Sequence, residues 1–151
     1  MLEEAAKSVG PMMKLMYNMM GDMCSAFYKK YGKDALPIIA KVSAKYGEPN
    51  AKLVKQMMPI KSMKDVAEMY KMMFGMIGEK FDIVKVSDDT LHFKVSTCPM
   101  CIQGTSKELC EAMMQTDKTM VGALLGHPIN IGIMKSVAAG DKYCEVAFSK
   151  K

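Results

Sequence analysis

The sequence predicts an α+β fold, with N-terminal helices packed on a four-stranded antiparallel sheet of two hairpins separated by a helix. Three observations predict it. Apolar residues recur at helical spacing through the first half, the pattern changes to strict alternation near residue 80, and a helical stretch at 106–126 stands between two alternating pairs.

From Met12 to Lys30, the residues Met12, Met16, Met19, Met23 and Phe27 share one helical face, with Lys14, Asn18, Asp22 and Lys29 largely opposite. Gly32 supplies the C-terminal cap. A second helix is expected over Asp34–Tyr46, with Pro37 in its first turn and Gly47 as its stop. "EPNAKLVKQMM" reads as a third, ending before Pro59. Ser62 and Asp65 have the spacing of a capping box. The fourth helix they open buries Met63, Val66, Tyr70, Met73 and Ile77, and Gly75 and Gly78 mark its end. "KFDIVKVS" and "TLHFKVST" then alternate about the turn Ser87-Asp88-Asp89, forming a hairpin. "SKELCEAMMQTDKTMVGALLG" is helical with a bend expected near Asp117. "HPINIGIMKSVA" and "KYCEVAFSK" make a second hairpin around Ala139-Gly140-Asp141. One domain spanning 1–151 is expected, divided into a helical half (1–78) and a hairpin-helix-hairpin half (79–151).

Composition narrows the function. Half of the 151 residues are apolar and a quarter charged, as in ordinary globular proteins. No apolar run approaches the ~20 residues needed to cross a bilayer. The N-terminus lacks the pattern of a secretory signal. A soluble cytoplasmic chain, with no membrane partner, is expected. The net charge of +5 comes wholly from lysine, since arginine is absent. Without arginine forks, and with the lysines spread along the helices, nucleic acid is not an expected partner. The 19 methionines suit a pliable core or a cavity for an apolar ligand. The stripe on the first helix, beside Cys24, is read as core packing in preference to a Cu(I) site.

Four of the five cysteines form the pattern C-x2-C-x8-C-x33-C, at Cys98, Cys101, Cys110 and Cys144. In a cytoplasmic chain such a set points to metal or redox chemistry before a disulfide framework. Four thiolates suit zinc or an iron–sulfur cluster, held by Cys98, Cys101, Cys110 and Cys144. Inert buried thiols, or a partial or catalytic thiol site, are the alternatives. A thioredoxin-like site would need a βαβ context, which four preceding helices argue against. His92 and His127 read as satisfied or exposed residues, and Asp141 as a turn former.

A strand ending in "CP", a cysteine on the next helix and the terminal hairpin "AAGDKYCEVAF" resemble the 4-vinyl-reductase (hydrocarbon-binding) domain family, over roughly residues 81–150. "KYGEPNAKLVKQM" before a capped helix is similar to the related L-2-amino-thiazoline-4-carboxylic acid hydrolase-like proteins. The resemblance implies an α+β fold shared with nitric-oxide-sensing haem domains and Golgi transport subunits, often dimeric. By position it implies that Cys98, Cys110 and Cys144 match family cysteines of a metal or ligand site. The chain departs from the family in carrying Ser136 where many members have a cysteine, and in adding Cys101.

The expected function is a small-molecule-binding or sensing module with a Cys-ligated metal or iron–sulfur site, taking a small, apolar ligand. A homodimer or a separate output protein would be its partner. One alternative is a thiol- or metal-dependent hydrolase of a small heterocycle, with Cys98 or Cys101 as nucleophile. Another is an iron–sulfur electron-transfer or redox protein.

Overall fold

A computed structural model describes residues 2–151, leaving out the side chains of residues 2, 3, 5 and 6. Ten principal elements follow one another: α1 (Leu2–Tyr31), α2 (Ala35–Lys45), α3 (Gly47–Met57), α4 (Met63–Met76), β1 (Phe81–Val86), β2 (Thr90–Val95), α5 (Lys107–Met113), α6 (Gln115–Leu125), β3 (Ile129–Lys135) and β4 (Cys144–Lys150). The strands form one antiparallel sheet in the order β1-β2-β4-β3. The expected α+β architecture is therefore present. The two hairpins join through β2 and β4, with Phe93 opposite Val146 and Val95 opposite Cys144. Each edge strand carries a register irregularity, between Ile83 and Lys85 in β1 and between Ile133 and Lys135 in β3.

Alternation puts Leu91, Phe93 and Val95 of β2, and Cys144, Val146 and Phe148 of β4, on the buried face. Tyr70 and Phe74 of α4 meet Phe81, Phe93 and Phe148 there, with neighbouring ring centroids 4.6–6.4 Å apart. These aromatics dominate the main core. A second cluster gathers Ala35, Ile39, Ile102, Leu109, Met113 and Ala138 beneath α1, with Phe27 and Tyr28 packed against it.

Local signals explain most boundaries. Ser62 and Asp65 form the expected capping box, the Asp65 carboxylate accepting from the Lys61 and Ser62 amides at 2.8 and 3.0 Å. The 106–126 stretch breaks into α5 and α6 at Met114, three residues before the expected bend. No glycine or proline causes this break. The start of α6 is instead drawn to the end of α2, where the Thr116 and Thr119 hydroxyls donate to the Ser43 and Ala44 carbonyls. Those carbonyls belong to the last turn of α2, where the Tyr46 amide also reaches the Ser43 carbonyl at 3.1 Å, and the hydroxyls supply donors that the helix itself has run out of.

Helix α1 departs most from expectation. It starts ahead of Met12 and runs through Pro11, and its methionine stripe faces outward. Met12, Met16, Met19 and Met23 are 57–66% exposed. The reading of that stripe as core packing is corrected. The cause lies on the opposite face: Gly10 and Gly21 press against the carbonyls of Met76 and Met100, where any Cβ would collide with backbone oxygen. Those contacts fix which side of α1 turns inward, whatever the hydrophobicity of the other side.

Gly21→Ala is therefore expected to destabilise the fold by about 1–3 kcal/mol through overpacking. Gly75→Ala, on an exposed helical position with nothing within 4 Å, should stabilise it by roughly 0.5–1 kcal/mol. Urea midpoints for the two variants check both signs. Equal midpoints would contradict the close seating of α1.

Candidate functional site

The loop after β2 places the first two thiols. Cys98 is buried in the second cluster. A turn closed by the Cys101 amide on the Cys98 carbonyl, 3.0 Å, carries the chain past Met100 to Cys101. Cys101 has φ +52°, the only positive value at a non-glycine residue among those described. Its exposed thiol donates to Asn18 Oδ1 of α1 at 3.0 Å, and Gly21 of the same helix admits the Met100 carbonyl. The loop is thus clamped to α1. The end of β2 is tied in by Thr97, which donates to Glu79, itself paired with Lys14 of α1 at 3.1 Å.

Cys110 on α5 lies between the two core clusters. Cys144 opens β4 and accepts the Val137 amide at 3.4 Å. Cys98, Cys110 and Cys144 are close enough for a charge on one to oppose a charge on another. Burial pushes the Cys110 thiol up to about 12, against the help of the neighbouring Ser136 hydroxyl. Burial also raises Cys144 and Cys101. The Ser136 hydroxyl is buried and makes no well-formed hydrogen bond.

Among the described residues, no three or more His, Cys, Asp or Glu side chains stand together so as to hold one metal ion. Cys98, Cys101, Cys110 and Cys144 are thus not gathered into one such group in this structure, and the Cys101 thiol is engaged by Asn18 of α1. Cys24 is half-buried against the second cluster. His92 bonds Glu145 at 2.8 Å, both on strand positions alternating with core residues, and His127 is half-buried, its ring nitrogen 3.1 Å from the Pro128 carbonyl.

A second polar group, absent from the sequence-based candidates, adjoins the thiols. Asp117 in the first turn of α6 accepts a hydrogen bond from the Tyr70 hydroxyl of α4. Its charge is felt by Tyr17 of α1 and by Cys110. Loss of solvation raises the Asp117 carboxyl from its ordinary value, partly offset by the Tyr70 bond. Tyr70 is raised well above an ordinary phenol by burial and then by Asp117, and Tyr17 is raised for the same two reasons. Thiols and the Tyr–Asp pair form one polar seam beside the aromatic core. The only signals for it in the sequence are Tyr70 on a buried stripe and an acid early in a helix.

The comparisons place this geometry in context. The family model for L-2-amino-thiazoline-4-carboxylic acid hydrolase matches residues 12–148, and the chain belongs to that family. No curated protein matches it. Among solved structures it is similar to the phenol-responsive sensory domain of the transcription activator PoxR with phenol: TM-score 0.66, 16% identity, covering 89% of this chain and 74% of that one. It is also similar to a trafficking protein particle complex subunit 3 from Naegleria fowleri covalently bound to palmitic acid: TM-score 0.69, 16% identity, covering 92% and 95%. At that identity the likeness is one of fold.

The raised Asp117 carboxyl has a definite consequence for stability. Below the ordinary carboxylate value of about 3.9, folded and unfolded chains both carry the proton. As pH rises the unfolded chain ionises first, so stability is lost until the folded carboxyl has ionised too. Asp117→Asn keeps an acceptor for Tyr70 and removes the charge. Its urea midpoint should gain on that of the unaltered protein as pH rises from about 4 to 7. A gap that shrinks over this range would contradict the assignment.

Proposed function

We propose that this member of the L-2-amino-thiazoline-4-carboxylic acid hydrolase family is a binding or sensing module for a small, largely apolar organic molecule. The observation that carries the reading is the Tyr70–Asp117 pair set against Phe74, Phe81, Phe93 and Phe148. An apolar, aromatic surround with one polar handle is the usual composition of a small-molecule site. The fold likeness to a phenol-bound sensory domain and a palmitate-bound subunit supports it. The methionines of the main core, Met63, Met69, Met73, Met114 and Met120, can reshape to admit a guest.

The hydrolase reading draws on the family description. It needs a thiolate or a metal-activated water, and burial holds Cys110, Cys144 and Cys101 in the thiol form at neutral pH. Cys98, the other candidate nucleophile, is buried in the second cluster, so the fold likeness to a phenol-bound domain supports binding ahead of hydrolysis.

A second copy of the chain is the partner this reading favours, seated on α1. The exposed apolar residues Val9, Met12, Leu15, Met16, Met19, Met20 and Met23 line that helix about a midpoint at Met16. Glu4 lies toward one end, and Lys29 and Lys30 toward the other. Two copies crossing antiparallel at Met16 would bring each acidic end to the other's basic end, with their helix dipoles opposed.

Two measurements test these readings. Phenol at about a hundred times its Kd should stabilise the protein by about 2.7 kcal/mol, raising Tm by roughly 5–10 °C for a chain of this size. No shift with phenol or with a medium-chain fatty acid would sink the binding reading. Sedimentation equilibrium at micromolar concentration should give a dimer, and the double substitution Met16→Glu/Met19→Glu a folded monomer. A monomeric unaltered protein would remove the second-copy assignment.

A further inference from the structure

The Asp117 carboxylate is placed at a cost that its structural role does not explain. It joins α6 to α4 through the Tyr70 hydroxyl, but an asparagine would accept that bond without bringing a charge into the aromatic core. Among the described residues, no lysine or histidine lies within ion-pair distance of it. An unpaired carboxylate crowded by protein is among the more expensive features a fold can carry.

Its surroundings suit one kind of ligand. A carboxylate offers about four acceptor positions, and Tyr70 and the Asp117 backbone amide occupy two of them. Asp117 retains some solvent-accessible surface, as does Tyr17. Three helices converge here, Tyr17 from α1, Tyr70 from α4 and Asp117 from α6. Tyr70 stacks toward Phe81 and Phe93 at 6.0 and 6.1 Å. The faces of Tyr70, Phe81 and Phe93 are taken up by one another, so the ring offered beside the carboxylate is that of the part-exposed Tyr17. An anion next to an aromatic ring is a composition that recognises an organic cation. A phosphate, sulfate or carboxylate ligand would instead meet a like charge.

We propose that Asp117, flanked by Tyr17 and Tyr70, is the recognition point for a protonated amine or amidine on the small ligand. The carboxylate accepts the ligand's N–H groups as charge-assisted hydrogen bonds, while the ligand's apolar part lies against the rings and methionines. The inference rests on the binding reading above and adds the ligand's charge to it. It also accounts for the retained acid: the charge that weakens the empty protein is neutralised when the cation arrives.

The test is isothermal titration at neutral pH with benzylammonium chloride and its neutral counterpart benzyl alcohol, on the unaltered protein and on Asp117→Asn and Tyr17→Phe. Benzylammonium should bind about tenfold or more tightly than benzyl alcohol, in line with the strength of charge-assisted bonds. That preference should vanish in Asp117→Asn and persist, weakened, in Tyr17→Phe. Equal binding of the two probes, or a preference that survives Asp117→Asn, overturns the inference and leaves the binding reading standing. If neither probe nor phenol binds, both fall. Circular dichroism of Asp117→Asn confirms that a lost preference is not lost folding.

Discussion

Two backbone carbonyls, those of Met76 and Met100, seat against helix α1 at Gly10 and Gly21, and the rest of the site depends on that contact. Carbonyl-to-glycine packing brings α1 closer to the end of α4 and to the cysteine loop than any side chain would permit. That approach sets three things together. Tyr17 is carried toward Asp117, Asn18 meets Cys101, and the seven large apolar residues on the far side are left exposed. Hydrophobicity alone would have turned the helix the other way. Hard-sphere exclusion at two positions outweighs it, because a blocked Cβ has no compensating arrangement short of moving the helix.

The polar seam beneath α1 has the opposite character, tolerant and unfinished. Ser136 holds a buried hydroxyl without a good partner, Cys110 sits between two apolar clusters, and Asp117 carries a charge unmatched by protein. Groups left incompletely satisfied in an otherwise well-packed interior cost stability. They recur at sites whose remaining partners come from outside the chain. Around them the aromatic cluster on α4, β1, β2 and β4 is fully packed and antiparallel pairing is continuous through the centre of the sheet. A well-packed aromatic scaffold and an incompletely satisfied polar seam are thus adjacent, with the adaptable methionines of the main core between them.

Much of the architecture was legible in the residues. Alternation identified all four strands, and the Ser62–Asp65 spacing identified a helix start to the residue. Periodicity also found the methionine face of α1, but periodicity reports only that a face is apolar, not what covers it. The two glycines that decide the orientation could not be told from ordinary helix-weakening ones, since the carbonyls they meet are 66 and 79 residues away along the chain. The break at Met114 escaped for a similar reason: hydroxyl bonds from α6 to α2 impose it, and no turn residue marks it. At the site, cysteine spacing drew attention to thiols while Asp117 and Tyr70 looked like a helix-start acid and a core aromatic. Spacing motifs are visible in one dimension. A charge buried by three converging helices is not.

The irregularities in β1 and β3 matter beyond the shape of the sheet. Both outer strands would otherwise offer unpaired amides and carbonyls to a passing chain, the usual beginning of runaway strand-to-strand polymerisation. Each is interrupted once, and a lysine follows the interruption in both, Lys85 and Lys135. A strand arriving at either border finds the hydrogen-bonding rhythm broken and a positive charge at the break. The sheet is therefore a poor template for its own growth, and the exposed thioethers of α1 lie on a helix, away from either border.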